Sequence, residues 1–374
     1  MSNNFLTVNE IAKESLMRLQ NNLVMASLVH KDFSDEFANK GDTVNVRKPA
    51  TFVAKDFTST IDTQGIAEQA VGVKLDKIAD VSVEVTSKQL ALNVQDFGEQ
   101  IVEGAMQALA QKIDADLLEL YADVPYTSGT AGTTPAALSD LANAGKVLNA
   151  NKVPFGNRNL VIDPEAQAKL VILDTITNAD KAGTTDGLRN ANLGRVLGLD
   201  TYLDQNVVNH AKGTLAAGTG KTIQLDAEVD EGATTLKFKA SEGDLTGTAK
   251  VGDIFTIADA EGQYTITEVS ALSGGKQVVK FYPACIGGFS TGKNVTFVAN
   301  HTANVAFHKN AFALVNRPQA LPLGGAEGYV ANFDGLSIRV TMGYTMSSKI
   351  NTISFDVLYG VKTLDPNLAV RVLG

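Results

Sequence analysis

From Gly213 to Asn300 the chain changes texture, and that change restricts its fold more than any other feature. The stretches "TTLKFKA", "DIFTIAD", "QYTITEV", "KQVVKFYPA" and "KNVTFVA" alternate apolar with polar residues. Between them lie "EGDLTG", "AEG", "LSGGK" and "FSTGK", turn chemistry recurring at a spacing of roughly ten residues. Strands this short with period-two patterning have one apolar face each, and they bury it by closing on one another. The segment is therefore expected to be a small antiparallel barrel or sandwich. Phe238, Phe255, Ile257, Tyr264, Ile266, Val278, Phe281 and Phe297 are its candidate core.

The flanks read differently. Thr7 and Glu10 form a capping box, and Ile11, Ser15, Leu16, Leu19 and Leu23 come after it at helical spacing, which predicts an amphipathic helix over about 8–20. An irregular arm leads to Gly41. "DTVNVRKPATFVAKDF" (42–57) and "AVGVKLDKIADVSVEVT" (70–86) alternate around the polar "TSTIDTQGIAEQ", as a long two-stranded arm with a loose tip would. An isolated hairpin is marginal in water, so the arm must lie against something else. Residues 96–123 carry the apolar stripe Phe97, Ile101, Ala105, Ala108, Leu109, Ile113, Leu117, Leu120 and Tyr121. A helix of that length spans roughly 40 Å.

After the break "SGTAGTTP" a second helix is expected over 136–150. "NLVIDPEAQAKLVIL" reads as a strand, then Pro164 at a helix start. "GRVLGLDTYLDQNVV" reads as a strand with a mid-strand glycine, Gly198. "NVAFHKNAFALVNRP" pairs a short strand with a helical turn closed by Pro318, and 335–373 reads as two or three long strands.

The chemistry-bearing residues are sparse. "AAGTGKTIQL" resembles a phosphate loop, but the pattern G-x-x-x-x-G-K-[ST] would put a glycine where Leu215 stands. The residues after it, "TIQLDAEV", read as a strand, whereas the phosphates need helix N-terminal amides. Lys221 is accordingly expected to be a solvated lysine, and Gly218 and Gly220 to give a flexible joint. His30, His210, His301 and His308 are scattered; His210 and His301 flank the β-rich segment, with structural roles expected over a metal pair. Asp114, Asp116 and Glu119 read as a solvated helix face, and Asp163-Pro164 as a turn into a helix. "KLDKIAD" carries charges either for partner contacts or for solubility. Cys285 is the only cysteine, which excludes an intrachain disulfide and fits synthesis in a reducing compartment. No catalytic residue, metal ligand or cofactor site emerges.

Of the 374 residues, 44% are hydrophobic and 20% charged, as in a folded protein with a sizeable core. The net charge of −9 disfavours nucleic-acid binding by wholesale charge neutralisation. No apolar run approaches about 18 residues, so no helical membrane span is expected. "MSNNFLTVNE" lacks the basic start and apolar run of a signal peptide.

The order of these elements resembles that of a tailed-bacteriophage major capsid (coat) protein, whose shell fold is shared with encapsulins. "GRVLGLDTYLDQNVV" is similar to that family's axial-domain strand. "NVAFHKNAFALVNRPQALP", with "DVLYGVKTLDPNLAVRV" later in the chain, is similar to its passage from axial to peripheral domain, with Ala311, Phe312 and Ala313 packed inward and Arg317-Pro318 ending the turn. The resemblance implies an α+β fold: N-terminal arm 1–41, extended two-stranded loop 42–90, peripheral domain with the spine helix 91–128, axial domain 129–212, inserted β-rich domain 213–300, axial return 301–345 and peripheral C-terminal strands 346–374. The insertion places the chain with the branch of the family that carries a β-rich domain there.

That resemblance also implies a function without catalysis. The chain would assemble with itself, as pentamers and hexamers, into an icosahedral virion shell in the bacterial host cytoplasm. Its partners would be scaffolding protein, portal and packaged double-stranded DNA without sequence-specific contacts, and no membrane. Two alternatives remain: an encapsulin-like cellular compartment, which would normally lack the insertion, and a soluble enzyme with a β-rich appendage.

Overall fold

The computed structural model describes residues 7–33, 38–48, 69–85, 101–322, 326–333, 335–346 and 350–374. The chain divides into two compact units, each woven from several stretches of sequence. The first comprises Met1–Ala26, His30–Asp114 and Phe312–Leu364; the second, Ser27–Val29, Ala115–Ala311 and Asp365–Gly374.

The first unit is built on a six-stranded sheet. His30–Phe33, Phe312–Arg317, Ile350–Thr363, Leu336–Thr345 and Ala326–Phe333 lie in that order, and Lys77–Val85 also pairs with Ile350–Thr363. Helix Val8–Asn22 begins at Thr7, whose hydroxyl accepts from Glu10 N while Glu10 Oε2 accepts from Thr7 N. Ile11, Ser15, Leu16 and Leu19 are buried as their spacing requires, and the helix packs on the strands Ala326–Phe333 and Leu336–Thr345. The arm pairs Thr43–Lys48 with Gln69–Lys74 in continuous antiparallel register. Its tip, 49–68, lies outside the described residues. At its base Val46, Val73 and Leu75 are buried with Ala313, Val315 and Leu358.

The arm's second strand ends sooner than the alternation suggested. Residues 77–85 lie on the main sheet, in register with Asn351–Tyr359. Both strands have period-two patterning, and what separates them is the break at Leu75-Asp76, where the Leu75 amide turns to Asp42 O.

The long helix is described from residue 101, so Phe97 lies outside the described residues. It runs as Glu103–Leu118 and tightens to a 3-10 turn at Glu119–Asp123. Ala105, Leu109, Ile113, Leu117 and Tyr121 are buried as expected, but Ala108 is exposed. Asp114 and Asp116 do not form a solvated face: both are buried. Asp114 accepts from Val24 N at 2.8 Å and Ala26 N at 3.0 Å, so its charge satisfies amides at the start of the short helix Met25–Leu28, which follows Val8–Asn22 in the chain.

The second unit holds a seven-stranded sheet: Thr127–Ser128, Ala369–Leu373, His301–His308, Arg158–Ile162, Leu199–Leu203 and Arg195–Val196 in order, with Asn209–His210 also on His301–His308. Arg158–Ile162 is buried throughout and runs parallel to Leu199–Leu203. Asp163 then caps helix Pro164–Val171 by accepting from Glu165 N at 3.1 Å, as the Asp-Pro pair implied. Helix Leu138–Ala150 packs Leu141, Ala144 and Leu148 against this sheet.

Gly198 is not mid-strand. It shares with Leu197 a two-residue turn, φ +84° and +50°, between Arg195–Val196 and Leu199–Leu203. Positive φ at both turn positions matches the right-handed twist of a hairpin. The third C-terminal strand, Ala369–Leu373, also departs from the expected grouping with 346–363. Asp365-Pro366 breaks the chain, and the strand joins the second unit's sheet beside His301–His308.

The β-rich segment forms a closed, wholly antiparallel barrel in the order Ile223–Leu225, Thr235–Ala240, Gln277–Tyr282, Tyr264–Val269, Ile254–Ile257, Asn294–Phe297. Phe238, Phe255, Tyr264, Phe281 and Phe289 pack as mostly edge-to-face rings inside it. Val278 faces out instead, and its neighbour Val279 takes the core position opposite Leu236. In the run Val278-Val279 composition could not choose the phase; pairing did.

The joint at 213–222 is less free than its glycines suggested. Leu215 and Ala217 are buried in the barrel core, and Ala216 exchanges backbone hydrogen bonds with Thr246 at 2.9 Å each way. Lys221 lies 3.8 Å from Glu242 at the surface, and strand Ile223–Leu225 comes next as expected.

Candidate functional site: the barrel seam and the exposed apolar surface

The barrel enters and leaves the second unit between two residues that pair with each other. His210 and His301 stand in register on adjacent strands, with ring centroids 5.1 Å apart. The barrel is thus an insertion at the end of a strand pair, and the two histidines mark its root.

Around that root lies a buried polar cluster. His210 Nε2 is 3.0 Å from Asp253 Oδ1, and a carboxylate only accepts, so the imidazole donates there. In the neutral ring Nδ1 then accepts from the Tyr121 hydroxyl at 2.8 Å. Asp253 also accepts from Lys250 N at 2.7 Å and Gly213 N at 3.1 Å. Arg371 is wholly buried. Its guanidinium donates to Gly252 O at 2.7 Å, Ala122 O at 3.0 Å and Thr265 Oγ1 at 3.0 Å, and stands 5.0 Å over the Tyr121 ring. Burial lowers its pKa to about 9, and Tyr121, Asp123 and Asp253 oppose that shift. Burial also raises the Tyr121 hydroxyl.

His301 Nδ1 donates to Ala299 O at 2.9 Å, while Nε2 has no hydrogen-bond partner among the described residues. Its pKa falls to about 4, first through burial, then through the Arg371 charge and His210, against the pull of Ala299 O and Asp253.

Tyr121, His210 and Asp253 are linked like a proton relay, but His210 is only 1% exposed, so no substrate reaches it. Among the described residues no three His, Cys, Asp or Glu side chains converge on a metal position. His30 lies in the first unit, and His308 accepts from Asn310 N through Nδ1 away from the root. Cys285 is buried in the barrel, where desolvation raises its thiol pKa. Asp80, on "KLDKIAD", faces Asp356 of the first unit's own sheet.

Sequence reasoning flagged His210 and His301 but missed Tyr121, Asp253 and Arg371. The available signal was Arg371 itself, a lone cation in the apolar strand "LAVRVL".

Both units expose apolar side chains. In the first, Met17 and Phe333 flank a groove of about 440 Å³ between helix Val8–Asn22 and strand Ala326–Phe333. In the second, Leu197 lines a cleft of about 280 Å³ with Leu138, Ile176 and Arg195, and Ile172 and Leu188 are more than two-thirds exposed. The groove of the first unit is mainly apolar, whereas the cleft of the second also presents Lys181, Asp186 and Arg195.

The elements define an α+β protein of two compact units, one carrying a two-stranded arm and the other an inserted closed barrel. No protein-family model matches the chain, and no curated protein is similar to it in sequence. Among solved structures it is similar to one titled "Mycobacterium phage Che8", at 16% identity and TM-score 0.48, over 93% of this chain and 90% of that one. It is similar to the capsid structure of cyanophage P-SCSP1u at 12% identity and TM-score 0.43, over 91% and 88% of the two chains. It is also similar to a virus-like particle from Pyrococcus furiosus, at 10% identity and TM-score 0.43, over 97% and 98%.

Proposed function

We propose that the chain is a major capsid (coat) protein of the tailed-bacteriophage type, which assembles with itself into a closed icosahedral shell and carries no catalytic role. The observation that carries the reading is the insertion point. A closed barrel is let into a mixed sheet between the paired residues His210 and His301, and a β-rich insertion in that part of the chain is what the coat-protein resemblance implies. The two-stranded arm supports it, since six paired residues per strand gain little stability alone and among the described residues depend on packing against the sheet. So do the exposed apolar side chains on both units, which suit many modest contacts with copies of the same chain better than one ligand.

In this reading the copies form pentamers and hexamers in the bacterial host cytoplasm, with scaffolding protein and portal as assembly partners. The packaged double-stranded DNA is enclosed without sequence-specific contacts. The acidic balance suits that role, because a strongly basic lining would hold the genome.

The test is sedimentation and then electron microscopy of the purified chain, alone and co-expressed with its own assembly partners. Closed shells or ring-shaped capsomers are expected. A chain that stays monomeric under both conditions and gains thermal stability from a nucleotide or metal would overturn the reading in favour of an enzyme. A co-purifying cargo enzyme inside the shells would point to a cellular compartment instead.

A further inference from the structure

We propose that His301, together with Tyr121, His210, Asp253 and Arg371, forms a proton-operated latch that fixes the barrel on the sheet of its own unit and lets it go in acid. The proposal is independent of what the whole chain does.

The geometry makes the cluster the seam's main fastening. The chain crosses between barrel and sheet only at 210–213 and 298–301. Across the seam a set of side-chain and backbone hydrogen bonds orients the barrel. From the sheet side come Tyr121, His210 and Arg371; from the barrel come Gly252 O, Asp253 and Thr265, whose hydroxyl donates to Ala122 O at 2.8 Å. At the edge of the cluster Gln263 Oε1 accepts from both the amide and the hydroxyl of Thr127, each at 2.9 Å. Polar contacts break over shorter displacements than broad apolar packing does, so such a seam opens as a unit.

His301 is placed to sense protons there. It is 2% exposed, and one ring nitrogen has no partner among the described residues. The groups packed around it are defined: His210 on the adjoining strand, Asp253 on the barrel and the Arg371 cation on the C-terminal strand face His301, while Tyr121 and Asp123 at the helix end face Arg371. A proton on His301 puts a second cation beside Arg371 in a space closed to water. The facing carboxylate, Asp253, is already bonded to His210, Lys250 N and Gly213 N. Opening the seam hydrates the imidazole, which then takes up the proton at its ordinary pKa of about 6.5.

With the closed-state pKa at about 4, the open seam binds more protons than the closed one at any pH between there and about 6.5. Closure is therefore fully favoured above that window and is lost as pH falls through it. One proton makes the opening equilibrium rise about tenfold per pH unit.

Amide hydrogen exchange on the full-length chain tests this, read as protection factors so that the intrinsic pH dependence of exchange cancels. From pH 7.5 to pH 4.5, seam amides at 122–128, 250–253, 298–302 and 371–373 are expected to lose protection by about tenfold per unit below pH 6.5. Strands Thr235–Ala240 and Gln277–Tyr282 should keep theirs. His301→Gln, which retains a donor for Ala299 O, and His301→Phe, which retains the ring shape, should both flatten the slope. Protection in the native chain that does not change with pH would overturn the latch, as would an unchanged slope in a folded variant. So would loss of protection in the barrel strands at the same pH as the seam, since that is general acid unfolding.

Discussion

Gly360 lies directly beneath the Lys74 carbonyl, so that a Cβ at position 360 would overlap the Lys74 oxygen. The strand Ile350–Thr363 and the base of the arm approach each other this closely only because residue 360 has no side chain. Lys362 Nζ bonds Gly72 O at 3.1 Å beside it. Gly360→Ala should push the arm's base outward at a cost of about 1–3 kcal/mol. Denaturant unfolding reads the cost, and hydrogen exchange over 69–75 should quicken while the barrel is unaffected.

Asp80 and Asp356 stand opposite each other across paired strands, and Ser354 Oγ reaches both, at 2.6 and 3.2 Å. Burial raises Asp356, and the hydrogen bond with Asp80 adds to that against the pull of Arg339. Asp80 is lowered: burial pushes it up, but hydrogen bonds from Asp356, Ser354 and Ser82 outweigh that. As pH falls, Asp356 is therefore the one of the pair that takes up the shared proton first. Because its folded pKa lies above its unfolded one, its contribution is present in acid and lost as pH rises through the raised value. Asp80→Asn removes the like-charge pair and should stabilise the chain by about 0.2–1 kcal/mol at pH 8. The gain should shrink towards pH 4, which chemical denaturation at the two pH values measures; a gain larger in acid would contradict the shared proton.

Asp114→Ala leaves Val24 N and Ala26 N without their acceptor at a buried site. The expected loss is about 1–3 kcal/mol, with Asp114→Asn recovering part of it. An Asp114→Ala chain as stable as the native one would return that carboxylate to the solvated face its sequence spacing suggested.

Phe281 touches Phe255, Tyr264 and Phe289 inside the barrel, and its removal leaves a cavity where those rings meet. Phe281→Ala should cost about 3–5 kcal/mol, enough to unfold a domain of this size that has no disulfide. The yield of soluble chain should fall with it, which side-by-side expression of the native and substituted chains measures; an unchanged yield and unfolding midpoint would contradict a core role for that ring.

Lys221→Ala should change stability by less than about 0.5 kcal/mol, because the ammonium only borders Glu242 at the surface. Calorimetry with ATP should show the same absence of binding in native and substituted chains. A micromolar affinity abolished by the substitution would restore the phosphate-loop reading.

The periodicity and turn chemistry of the chain alone determined the barrel, the capped first helix, the paired arm strands and the Asp163-Pro164 helix start. These depend on neighbours within a few residues, through alternation, caps and turns, so a linear reading reaches them. The tertiary structure decided where equivalent strands went. Lys77–Val85 and Ala369–Leu373 carry the same alternation as the strands they were grouped with, yet each completes a sheet elsewhere. It also decided which charges are buried. Asp114 and Arg371 look like surface residues until amides or carbonyls from distant segments surround them. The seam joins residues 121, 210, 253, 301 and 371, and their chemistry exists only because the fold brings five separated segments together and removes the water between them.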